Sequence, residues 1–347
     1  MGKCPEAPGS SATDAEPITG SLTFKQLIIY INYACFALTA ILWLGLAIPH
    51  LRRYKAPDEQ RPIFRIISTP VVFCTIALIA VHAYNAAEYL DPIASLYEAY
   101  ALASLFLLYV HYVVPEAHNR DEFFHNLEST TKDGRPVPGG SLRWFRRVWR
   151  TVFGFVVIYT ILIVVQEVLQ ATGHACATTK KGKRGQIILN VLQTISMVYA
   201  LIAILRFQRR LKKFMEGRRA IMKLIAFKLF VAIQVLQRFI FSIVSTRVSG
   251  NSKITFRDIS VGLPALLTSI ESLIFTIGFY FTFHSKEYQD GTAAPGKKYS
   301  GLRALIHALS PGDLIRGVLI AFTAWKPSGA GNRDHVSTVH HTTAKPV

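Results

Sequence analysis

The sequence predicts an all-α integral membrane bundle of seven transmembrane helices, and three observations carry that prediction. Apolar residues make up 51% of the 347 and are gathered into long blocks. Each block approaches the roughly 20 residues that a helix needs to cross about 30 Å of hydrocarbon. The 39 Lys and Arg lie largely between the blocks, so the net charge of +18 reads as a topology signal and as attraction to anionic headgroups. Nucleic acid, the usual partner of so basic a soluble chain, is set aside as a partner.

Residues 1–22 are expected to form a disordered, uncleaved N-terminal tail, because no basic region precedes an apolar run too long for a signal peptide. The first span covers 23–49 and is followed at once by His50, Arg52, Arg53 and Lys55, a cytoplasmic stop that places the N-terminus outside. A basic connector at 57–65 leads into the second span, 66–84, and an acidic one at 85–91 leads into the third, 92–114. Trp144, Phe145 and Trp149 alternate with arginines ahead of the fourth span, 151–170, a pattern expected of an interfacial helix. The fifth span, 186–205, follows Lys180, Lys181, Lys183 and Arg184, which break the charge rule by falling outside. The dense basic connector 206–223 outweighs them before the sixth span, 224–246, and the seventh, 259–283. The seven spans form one domain, 23–283, leaving a cytoplasmic segment, 284–325. Its apolar stretches are broken at Ser310-Pro311-Gly312-Asp313, so an amphipathic helix on the inner leaflet is expected there, followed by a disordered tail at 326–347.

Ionisable groups inside spans cost about 2.5–3.5 kcal/mol each on insertion scales and so require a partner or a wet lining. Glu98, Glu167, Lys228, Arg238 and Glu271 are such groups. Gln234, Arg238, Ser242 and Ser245 share one face of the sixth span, while Tyr97, Tyr100, Ser104 and His111 form a stripe beside Glu98 in the third. Tyr97, Glu98, Lys228, Gln234, Arg238 and Glu271 are therefore the candidate substrate-binding residues, although the same groups could instead hold helices together. Pro264 offers a kink or a free carbonyl in the seventh span. No phosphate loop, His-Glu-x-x-His, Gly-x-Ser-x-Gly or paired-cysteine motif occurs, so neither an enzyme nor a cofactor or metal site is expected.

Several motifs lie in order on these spans. Glu59-Gln60-Arg61, Ile63 and Arg65-Ile66 are followed by Pro70, then Tyr97-Glu98-Ala99, Ile195-Ser196, Tyr199-Ala200-Leu201, and Lys223, Lys228 and Gln237. Ile270-Glu271 and Ser310-Pro311-Gly312-Asp313-Leu314 complete the series. Together they resemble the organic solute transporter subunit alpha (Ostalpha) family and its seven-helix eukaryotic relatives. Ala94-Ser95 stand where the family usually carries Arg-Asp, Leu236 replaces a common Trp, and the cysteine cluster of some members is missing.

The resemblance implies an N-out bundle that passively moves sterol conjugates or related amphipathic organic anions, often with a single-span beta-type partner. Membrane lipids, a homo-oligomer and that beta-type chain are the partners considered, in a plasma, vacuolar or other endomembrane. The rival reading is a non-transporting membrane scaffold that recruits cytoplasmic partners or organises lipid through 206–223 and the C-terminal helix.

Overall fold

In the computed structural model, residues 15–129, 135–174, 180–248, 250–288 and 301–323 are described, and they form α-helices without a β-strand. The tail expected at 326–347 lies outside the described residues, as does the first part of the N-terminal one. Residues 15–22 are tied down: the Glu16 amide donates to the Ser252 carbonyl at 2.8 Å, and the Ser252 hydroxyl donates to the Glu16 carboxylate at 2.9 Å.

Helix α1 (Phe24–Arg52) starts at a capping box, in which the Gln26 amide donates to Thr23 Oγ1 and the Thr23 amide to Gln26 Oε1. The second crossing is made of two helices, α2 (Pro57–Ile67) and α3 (Thr69–His82), which meet at Ser68. Pro57 opens α2 with Asp58 and Glu59 in its first turn, where fixed φ and the helix dipole favour them, and Pro70 opens α3. Nearly all of α2 is buried, so the basic motif faces protein. Helix α4 (Ala87–Val113) is the most enclosed span and forms the bundle's centre. A short α5 (Arg120–Asn126) then leads to α6 (Leu142–Ala171), α7 (Lys180–Arg210), α8 (Ala220–Arg247) and α9 (Leu263–Thr282).

The interfacial helix expected before the fourth span is instead the first turns of α6, and its aromatics are core. Phe145, Trp149 and Phe153 recur every fourth residue, so they share one helical face; all three are buried, and Trp149 and Phe153 pack on Phe106 of α4. Phe145 stacks on Phe124 of α5, with centroids 3.9 Å apart, while Trp144 stacks on Phe207 beneath Arg210.

Side-chain contacts sort the helix ends into two sets. Tyr33 with His82, Tyr84 with Asp258, and Gln170 with Glu88 join one end. His50 with the Phe283 carbonyl, Arg218 with Glu59, and Tyr109 with the Ala220 carbonyl join the other, which also carries most of the basic connectors. Successive long helices thus alternate in direction.

The C-terminal segment consists of two helices, α10 (Leu302–Leu309) and α11 (Gly312–Thr323), broken at Ser310-Pro311. Eight stretches among the described residues are long and apolar enough to cross a membrane, and this broken pair is the eighth. The pair packs on the bundle: α10 lies along α2, and α11 along α6. The inward face is mostly small, with Ala304, Ala308, Gly317 and Ala321 buried beside Leu314, and Leu302, Ile306, Ile315, Leu319 and Phe322 point outward. Gly317 allows this approach, since a Cβ there would fall 2.3 Å from the Phe153 ring.

Candidate functional site

Helix α8 packs on α9, and α7 packs on α6, so a lateral cleft opens between the two pairs over α4. At its floor lies a narrow recess, lined by apolar side chains including Leu102, Phe155, Met197 and Leu201, with Glu98 and Lys228 among them.

Glu98 projects from α4, and its carboxylate is 3% exposed. Arg238 of α8 holds a guanidinium nitrogen 3.7 Å from that carboxylate and donates to Ser95 Oγ at 2.9 Å, while 42% of its side chain remains exposed. No described donor lies within hydrogen-bond distance of either Glu98 oxygen. The pair is therefore held by charge alone on the Glu98 side, and Asp91, also on α4, is a second acid acting on the Arg238 guanidinium. Ser95 supplies a hydroxyl acceptor for Arg238. Lys228, exposed and without a carboxylate partner among the described residues, lines the same recess ten residues earlier on α8, about 15 Å along the helix axis.

The remaining candidates sit elsewhere. Gln234 donates to Glu271 Oε2 at 2.8 Å and accepts from Thr268 at 3.3 Å, and Gln237 donates to the Pro264 carbonyl at 2.6 Å. Glu271 and Gln234 thus belong to a strip that joins α8 to α9. Pro264 follows a π-turn at Asp258–Gly262, and its own carbonyl is taken by Gln237. Tyr97 points away from Glu98 and donates to the Arg65 carbonyl at 2.9 Å. Ser242 and Ser245 have side chains outside the described set. Of the six candidates, the structure places Glu98 and Lys228 on the recess and Arg238 beside Glu98, and the apolar lining from α6 and α7 carries no chemical signature in the sequence.

A second polar assembly occupies the basic end. Arg65, 2% exposed, donates to both Asp313 oxygens at 2.9 and 2.6 Å and to the Ser310 carbonyl, with Tyr100 under its guanidinium. Arg61 approaches the same carboxylate at 3.5 Å and donates to His307 Nε2, and the other ring nitrogen of His307 meets the Tyr54 hydroxyl at 3.2 Å. The motif at 59–66 and the motif at 310–314 are therefore two halves of one contact.

An all-helical bundle with long apolar outer faces and eight stretches apolar enough to cross a membrane among the described residues is that of an integral membrane protein. The chain belongs to the organic solute transporter Ostalpha family, which it matches over residues 28–288. It is thus an organic solute transporter-like membrane protein, and the family is one of transporters rather than enzymes. The match ends before α10. No solved structure matches the chain.

Proposed function

We propose that the protein passively carries amphipathic organic anions, such as sterol conjugates or lipid acids, along the cleft between α7 and α8. The observation that carries this reading is the Glu98–Arg238 pair at the rim of an apolar recess. An exposed arginine within a span is costly unless it has an aqueous or ionic use. Here 42% of the Arg238 side chain stays open to an anionic head that would compete with Glu98 and Asp91, while the apolar lining of the neighbouring recess suits a hydrocarbon body. Lys228, about 15 Å further along α8, offers a second cation on the path toward the basic end. Glu98 holds Arg238 in place when the recess is empty and competes with the ligand's acid head, so the head is bound weakly enough to leave. The narrow recess must widen, and Met197, with three rotatable side-chain bonds, is suited to yield.

In this reading the N-terminus lies outside, the basic end faces the cytoplasm, and a single-span beta-type chain or a second copy assembles on the apolar outer surface. The test is uptake of a labelled amphipathic anion into proteoliposomes. Arg238→Gln is expected to cut uptake by about tenfold, the loss of one charge-assisted hydrogen bond. Uptake unchanged by Arg238→Gln in folded protein rejects the role.

A further inference from the structure

At the basic end, α2, α5, α6, α11 and the end of α4 enclose a wide vestibule of about 2330 Å³, counted to its open mouth. It is separate from the recess at Glu98, shares no lining residue with it, and does not depend on the transport reading. Arg120, at the start of α5, points into it beside Trp149, whose ring centroid lies 5.9 Å from the guanidinium. Arg120 donates one hydrogen bond to His111 Nδ1 at 3.2 Å, while its buried Nε has no acceptor. Arg316, exposed on α11, lines the same space from the opposite element.

The acids around the vestibule are mostly committed to other cations. Asp313 is held by Arg65 and Arg61, Asp121 by Arg146 at 2.9 Å, Glu59 by Arg218 at 3.3 Å, and Glu116 lies 3.4 Å from His118. Asp58 remains as the carboxylate that offsets Arg120, and it is exposed at the mouth. Burial, countered in part by Asp58 and reinforced by the like charge of Arg316, pushes the Arg120 guanidinium down to about 10. Two guanidiniums on different helices thus line one open space and act on each other across it.

We infer that the vestibule bracketed by Arg120 and Arg316 is a binding site for a phosphate group. Two planar forks from separate elements match a multi-oxygen anion better than a single carboxylate, because each fork can take its own pair of oxygens. Trp149 and Ile320 supply an apolar flank for whatever the phosphate carries. The phosphate comes either from an anionic lipid of the adjacent leaflet or from a soluble compound.

The experiment uses full-length protein in two arms. In phosphatidylcholine nanodiscs, inorganic phosphate is titrated by calorimetry. In nanodiscs that also contain a minor fraction of phosphatidic acid, lipid retained on the ejected protein is counted by native mass spectrometry. The wild type is expected to bind in at least one arm, and Arg120→Gln and Arg316→Gln each to weaken that binding by about tenfold. Arg52→Gln, an exposed basic residue outside the vestibule, is expected to leave binding unchanged. Binding confined to phosphatidic acid identifies a headgroup, and binding confined to inorganic phosphate identifies a soluble ligand. Should Arg120→Gln fail to fold, the exposed Arg316→Gln carries the test. No binding by the wild type in either arm, or equal binding by wild type and the vestibule variants, overturns the site.

Discussion

Arg65 and Asp313 lie 248 residues apart in sequence and are joined by two hydrogen bonds of 2.9 and 2.6 Å. The arginine is 2% exposed and the aspartate 20%, so this bidentate pair is mostly removed from solvent. It fastens the C-terminal helices to the second crossing and makes α11 one wall of the basic-end vestibule. The scaffold reading assigned the C-terminal segment to partner recruitment. With the segment docked this way, deleting it would also strip the bundle of a wall, so a deletion phenotype alone does not separate scaffold from transporter.

Asp313→Ala should destabilise the protein by about 3–5 kcal/mol, because it leaves a buried guanidinium with its main partner gone. Replacing both residues by apolar ones of similar volume should recover much of that loss. Thermal melting of the purified protein in nanodiscs, compared across the single and double variants, checks both outcomes.

Gly317→Leu should undock α11. A Cβ at this position already meets the Phe153 ring at 2.3 Å, and the bond from Trp149 Nε1 to the Gly317 carbonyl, 2.9 Å long, requires the same close approach. Overpacking of this kind costs about 1–3 kcal/mol. Faster hydrogen exchange over 312–323, partly restored by Phe153→Ala, is the expected readout.

Glu271→Gln should leave uptake within about twofold of wild type, since the residue serves a helix–helix strip whose single bonds average about 0.6 kcal/mol in membrane bundles. A loss as large as that of Arg238→Gln would mean that the α8–α9 strip, rather than the α7–α8 cleft, meets the solute. Parallel uptake assays on the two variants decide between them.

Lys228→Met should weaken uptake of anionic solutes while sparing an uncharged sterol of the same shape, because the apolar lining is retained and one cation is lost. Competition between the two solutes in one assay reads the ratio directly.

Much of the bundle is legible in the sequence because a span must satisfy its own backbone and be apolar for about 20 residues. The break at Ser68 is harder to see, since α2 and α3 together keep the hydropathy of one span. Arg65 and Asp313 were each singled out within motifs, yet nothing local pairs residues so distant in sequence. Trp144, Phe145 and Trp149 were misplaced at the lipid interface because aromatic–arginine alternation is the same whether the rings meet headgroups or a neighbouring helix. Glu98 and Arg238 were found because a charge in a span is expensive wherever it lies. Their pairing depends on how α8 leans over α4, and no residue pattern encodes that.

The most direct measurement is photoaffinity labelling in nanodiscs with a diazirine-bearing amphipathic anion, followed by peptide mapping. Adducts on Met197, Leu201 or Val231 that fade in Arg238→Gln are predicted. Adducts confined to the outer faces of α1 and α9, or cleft labelling indifferent to Arg238, would contradict the assignment of the α7–α8 cleft as the solute path.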